Sequence, residues 1–143
     1  MDQTMQAWYR DAVLKMAKSP YHEGKPEGDF VEVKAYNPLC GDQYTLFLRM
    51  EGDRVAELWW QGFGCAISKA ATSVLAKHAE GLSVAAFEAL LHNFLQVVAA
   101  DATAKPEDLV AAEELQAFVA ARDFPERATC ATLSWEALGN HLQ

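Results

Sequence analysis

Three strand-like runs followed by a series of helical runs predict an α+β fold: a small three-stranded antiparallel sheet with helices packed on one face. Two observations carry this. The hydrophobic period is two over residues 30–62 and changes to a helical period after Gly64. The three strand-like runs are also joined by short turns, which only antiparallel neighbours allow.

The elements follow in order. Thr4 is a candidate N-cap for a first helix over residues 4–17, with Met5, Trp8, Tyr9, Ala12 and Met16 at helical spacing. "SPYHEGKPEGD" is a Pro- and Gly-rich loop. "FVEVKAYN" alternates, with Val31, Val33 and Ala35 on one face and Glu32 and Lys34 on the other. "QYTLFLRM" alternates through Tyr44, Leu46, Leu48 and Met50, "EGDR" marks a tight turn, and "VAELWWQG" makes a third strand. Residues 65–80 form a helix capped by Gly81, and Ser83 caps another that runs to about Val98. Residues 107–121 are a third helical run after the break "DATAKPED". "DFPER" is a further break before a last helix through "CATLSWEALGNHL".

A chain of 143 residues fits one domain, residues 1–143, with a core of its own. Its 20 acidic and 12 basic residues give a net charge of -8. Nucleic-acid binding needs a basic footprint and is excluded; docking on anionic lipid is disfavoured, and a neutral or basic protein partner suits the charge better. "SVAAFEALLHNFLQVVAA" is interrupted by Glu88, His92, Asn93 and Gln96, so no membrane span is expected. The N-terminal residues carry charges and no apolar export segment. Three cysteines, an odd number, argue against a secreted disulfide framework and for a cytoplasmic protein with reduced thiols.

Those cysteines are the most informative residues. Cys40 lies in the turn between the first two strands, two positions before Asp42. Cys65 lies where the third strand hands over to a helix, after "GFG". Cys130 is placed near the start of the last helix. Core-filling cysteines should fall inside buried runs, whereas helix starts favour thiolate. Three thiolates and one carboxylate make the four ligands of a closed zinc site. No CxxC pair is present, and structural cysteines stay open as the other reading of this spacing. His22, His78, His92 and His141 have no metal-binding spacing and read as solvated or structural, with His78 at the surface near a helix end. Lys69 reads as an exposed helix lysine, and "PEDLVAAEEL" as a solvated helix face. Of the adjacent Trp59 and Trp60, one should enter the core and the other cover a helix or a partner.

"NPLCGD", "GFGCAISKAATS" and "ERATCATLSWEAL", in that order, resemble the U-type iron–sulfur cluster assembly protein family. The resemblance covers most of the chain and implies a small antiparallel sheet with helices on one side. Within that family, Thr129 stands where the housekeeping scaffolds have a histidine, and "ATAKPEDLVAAEELQAFVAARDF" lengthens the interval between Cys65 and Cys130. Both features are similar to the zinc-dependent sulfurtransferases of the Suf branch, although that branch often has lysine at the position of Thr129. The resemblance implies Zn2+ held by Cys40, Asp42, Cys65 and Cys130, with Cys40 accepting persulfide sulfur from a SufS-like cysteine desulfurase. It implies Suf scaffold proteins as further partners, and Arg127 as a basic group beside the metal. The alternative it leaves open is a scaffold assembling a [2Fe–2S] cluster on the same four residues. Whether the chain counts as an enzyme or as a sulfur carrier is left open as well.

Overall fold

The computed structural model describes residues 3–38 and 41–143. The chain runs α1 (Gln3–Lys18), β1 (Val31–Asn37), β2 (Asp42–Glu51), β3 (Arg54–Phe63), α2 (Ala66–Ala79) and α3 (Val84–Val98). Two single turns follow, α4 (Pro106–Leu109) and α5 (Glu113–Gln116), then a 3-10 segment (Ala117–Asp123) and α6 (Pro125–Leu142). The sheet is antiparallel in the order β1-β2-β3.

Alternation decides which side of the sheet is covered. In register, Leu46 faces Val33 and Trp60, and Leu48 faces Val31 and Leu58. Tyr44, Leu46, Leu48, Leu58 and Trp60 are buried. Against them lie α2 and α6, with α1, α3 and the 3-10 segment outside those two helices. The small residues Ala70, Ala71 and Ala131 let α2 and α6 come close, and Trp135 on α6 donates its indole N–H to the Ala71 carbonyl at 2.9 Å. Trp135 stacks on Phe94 of α3, with ring centroids 4.0 Å apart. Fully burying one such large apolar side chain contributes about 1.5–3 kcal/mol, so this aromatic stack is a main tie between α3 and the rest.

The tryptophan pair divides as alternation requires. Trp60 is buried, while Trp59 faces the other way and stacks on His22, with centroids 4.0 Å apart. His22 is held by the Leu58 carbonyl and Glu80, so it is structural. In α1, Tyr9 and Val13 are buried, and Ala12 and Met16 pack on the core; the side chains of Met5 and Trp8 lie outside the described residues. Ser83 caps α3 by accepting the Ala86 N–H at 3.1 Å.

Three expectations are corrected. Residues 107–121 are not one helix. Val110 is extended between the two single turns, and the remainder is 3-10. Val110 and Leu115 are both buried, yet five residues on a continuous helix would place them about 140° apart. Breaking the helix turns both inward, and the Gln116 side chain donates to the carbonyls of Val110 and Ala111. The last helix starts earlier than the sequence suggests, with Pro125 at its first position, so Cys130 lies in its second turn rather than near its start. His78 is no free surface residue: it pairs with Glu114 and, with Lys77, fastens α5 to α2.

Candidate metal centre

One end of the sheet gathers the chemistry. Asp42 opens β2, and Cys65 is the residue before α2, reached directly from β3 through Gly64. Cys130 enters from α6. The carboxylate of Asp42 and the sulfurs of Cys65 and Cys130 lie within 4.8 Å of one another. Asp42 and Cys130 are buried and Cys65 is partly exposed, so the group opens to solvent on one side. Cys40 lies outside the described residues.

The local sequence explains this convergence. Cys65 has extended backbone angles, φ -70° and ψ 169°, and its side chain makes no cap bond to α2. The sulfur caps no backbone amide and lies 3.8 Å from Ser68 Oγ. The Cys65 backbone N–H donates instead to Asp42 Oδ1 at 3.1 Å. Gly62, at φ +145°, lies so close to the Gln43 carbonyl that a Cβ would overlap it. Gly64 is equally confined, because a Cβ there would overlap Asp42 Oδ1 and Ser68 Oγ. Two glycines thus let β3 close against β2 and deliver Cys65 beside Asp42.

Arg127 stands three residues before Cys130, on the same side of α6. Its pKa is raised by its interaction with the Cys65 side chain, with the charges of Cys65 and Cys130 adding to that. Behind Asp42 and Cys65, Tyr44 OH and Ser68 Oγ are 2.8 Å apart. Burial, opposed by the Ser68 bond and reinforced by Asp42, Cys65 and Cys130, pushes the Tyr44 phenol up to about 12. Neither hydroxyl was singled out by sequence reasoning. Their only trace there is the spacing of Ser68 three residues after Cys65, which puts it on the first turn of α2. Lys69 reaches Glu23 at 3.7 Å, and Thr129 is exposed.

The donor set fits zinc. Ligand atoms about 2.0–2.3 Å from a tetrahedral ion are about 3–4 Å from each other, and the atoms of this group all lie within 4.8 Å. Two sulfurs and a carboxylate oxygen are donors that zinc accepts. A cavity of about 600 Å³ adjoins the group, lined among others by Leu14, Cys65, Ile67, Phe118, Phe124 and Arg127.

Comparison with known proteins agrees with this geometry. Residues 8–131 match the NifU-like N-terminal domain. The chain belongs to that family. A relative in Bacillus subtilis (strain 168), the zinc-dependent sulfurtransferase SufU, is 29% identical over 91% of this chain and 86% of its own length. The iron–sulfur cluster assembly scaffold protein IscU of Streptococcus pyogenes serotype M1 is 35% identical over 91% of this chain and 79% of its own length. Among solved structures, a protein from Fervidobacterium islandicum AW-1 described as a candidate iron–sulfur cluster assembly scaffold for the SUF system superposes with a TM-score of 0.82. It is 24% identical and covers 93% of this chain and 95% of its own, which establishes a shared fold. The expected family and α+β architecture are thus both observed. Among the described residues, no helix is long and apolar enough to cross a membrane.

Proposed function

We propose that this chain serves iron–sulfur cluster assembly as a zinc-bound sulfur acceptor, taking sulfur from a cysteine desulfurase onto Cys40. The observation that carries the reading is the meeting of Asp42, Cys65 and Cys130 within 4.8 Å, with Arg127 on Cys65. Cys40, two residues before Asp42 in sequence, completes the ligand set in this reading. The similarity to a zinc-dependent sulfurtransferase over nearly the whole chain supports it.

When bound, zinc keeps the sulfurs as thiolates and adds no redox chemistry of its own. The protein's own groups do the rest. Three thiolates and a carboxylate around a divalent ion leave a formal charge of -2, which Arg127 partly offsets. The Cys40 thiolate attacks the outer sulfur of the partner's persulfide. The partner's S–S bond breaks, its cysteine departs as thiolate, and a new S–S bond forms on Cys40. The outer sulfur keeps its proton, and no external electrons are needed.

Such a transfer requires a protein partner over the site. Large exposed apolar side chains lie at this end of the molecule: Leu14 and Phe124 line the adjoining cavity, while Tyr36 and Phe63 flank Gln43 on the exposed face of the sheet, opposite to the face that carries Asp42. The partner in this reading is a SufS-like desulfurase, with Suf scaffold proteins as later recipients. The need for reduced thiols suits the cytoplasm.

The second reading, assembly of a [2Fe–2S] cluster on the same residues, is favoured by the 35% identity to a protein named as a scaffold. One experiment separates them. Purified protein should be colourless with one zinc per chain, and Cys65→Ser or Cys130→Ser should lose the metal. After mixing with desulfurase and cysteine, mass spectrometry should find the added sulfur on Cys40. A brown protein containing iron and sulfide, with no sulfur on Cys40, would establish the scaffold instead.

A further inference from the structure

Behind the candidate ligands runs an unbroken chain of hydrogen bonds. Ser68 Oγ donates to the Cys65 carbonyl at 3.0 Å. A serine hydroxyl has one proton, and this bond uses it. Tyr44 OH lies 2.8 Å from the same Ser68 Oγ. Cys65 in turn donates its backbone N–H to Asp42 Oδ1. The order is Tyr44 to Ser68 to Cys65 to Asp42, and it passes through two candidate ligands. Tyr44, Ser68 and Asp42 are each at most 2% exposed, so water does not compete for these bonds. Three of the oxygens, from Asp42, Tyr44 and Ser68, crowd the space where a Cβ on Gly64 would stand.

We propose that Tyr44 and Ser68 are positioning residues of the metal centre. They fix the first turn of α2 against β2 and so hold Cys65 and Asp42 at the separation that one ion needs. This rests on the reading of Asp42, Cys65 and Cys130 as metal ligands. A neighbouring pair of buried hydroxyls supplies an internal control. Thr72 Oγ1 donates to the Ser68 carbonyl at 2.8 Å and lies 2.7 Å from Ser134 Oγ, tying α2 to α6. Thr72 is as buried as Ser68 but touches neither the Cys65 sulfur nor the Asp42 carboxylate through any of these bonds. A merely structural role for buried hydroxyls would make both pairs equivalent; a positioning role separates them.

The test uses the full chain loaded with cobalt(II), whose visible bands report ligand type and geometry. Tyr44→Phe and Ser68→Ala should shift those bands and speed cobalt release to excess chelator by about tenfold or more. Ser68→Thr, which keeps the hydroxyl, should restore the bands. Thr72→Val should lower the melting temperature with the bands and release rate unchanged. Unshifted bands and unchanged release in both Tyr44→Phe and Ser68→Ala overturn the proposal, as does an equal shift in Thr72→Val. If the unaltered protein gives no cobalt–thiolate bands, the metal reading itself fails. Normal bands with insensitive variants sink only the positioning role.

Discussion

The backbone N–H of Cys65 donates to the carboxylate of Asp42 at 3.1 Å, so one buried acid both braces the β3–α2 junction and supplies a candidate ligand oxygen. The two roles can be separated. Asp42→Asn keeps an oxygen acceptor for the Cys65 N–H but removes the charge. Asp42→Ala removes both. In metal-free protein, Asp42→Asn should unfold in urea close to the unaltered chain. Asp42→Ala should lose about 1–3 kcal/mol, the cost of an unsatisfied buried donor. Both should bind zinc more weakly in competition with a chelator. Unchanged zinc affinity in both would make Asp42 a turn residue and nothing more.

Gly64 makes a second demand on the same junction. A Cβ there meets Asp42 Oδ1, Ser68 Oγ and Tyr44 OH, all on buried side chains within one bonded cluster. At Gly139 the neighbour is instead the far end of the Leu91 side chain, which can turn away. Gly64→Ala should therefore cost about 1–3 kcal/mol, as overpacking does, and more than Gly139→Ala. Urea unfolding of the two variants checks the order. An equal cost would mean that the polar cluster yields as readily as a leucine tip.

The sheet and the helices α1, α2 and α3 were legible because each carries its own period and its own stop signal. Ser83 and Gly81 announce their helix ends, and the strand faces follow directly from alternation. The segment 107–121 was not legible. Its composition favours helix, but the burial of Val110 and Leu115 is a tertiary demand that local preference does not contain. Cys130 was placed near a helix start for a local reason: "DFPER" looks like a break, whereas Pro125 is the first residue of α6. At the site, sequence singled out Cys40, Asp42, Cys65, Cys130 and Arg127; the fold brings Asp42, Cys65 and Cys130 together, and Cys40 lies outside the described residues. Tyr44 was assigned to the core face alone, since nothing local to it signals that its hydroxyl meets α2.

In the proposed reading, Arg127 separates holding the metal from using it. Its guanidinium is exposed and interacts with the Cys65 side chain, yet a guanidinium offers no ligand atom. Arg127→Ala should therefore retain zinc at one per chain while sulfur uptake from the desulfurase slows about tenfold, the scale of a lost outer-sphere partner. Arg127→Lys should recover part of the rate, because an ammonium restores charge without the planar fork. Loss of zinc from Arg127→Ala would show instead that the guanidinium holds the ligands in place.

Far from the metal end, Glu114 of α5 bonds His78 and Lys77 of α2 and gives the stability a pH dependence of known sign. Burial pushes its carboxyl up, but the hydrogen bonds and positive charges of His78 and Lys77 outweigh burial and hold it below its ordinary 4.5. A depressed acid stabilises the fold above its unfolded pKa, and that contribution is lost as pH falls through the lower folded value. Glu114→Gln should thus be less stable than the unaltered chain at pH ~7 by on the order of 1 kcal/mol, the scale of a partly exposed ion pair. The gap should narrow as the pH falls below the ordinary glutamate range and close in stronger acid, where both chains carry a neutral group at this position. Urea unfolding of both proteins across that range measures it. A gap that stays constant into acid would assign the loss to packing between α5 and α2 rather than to charge.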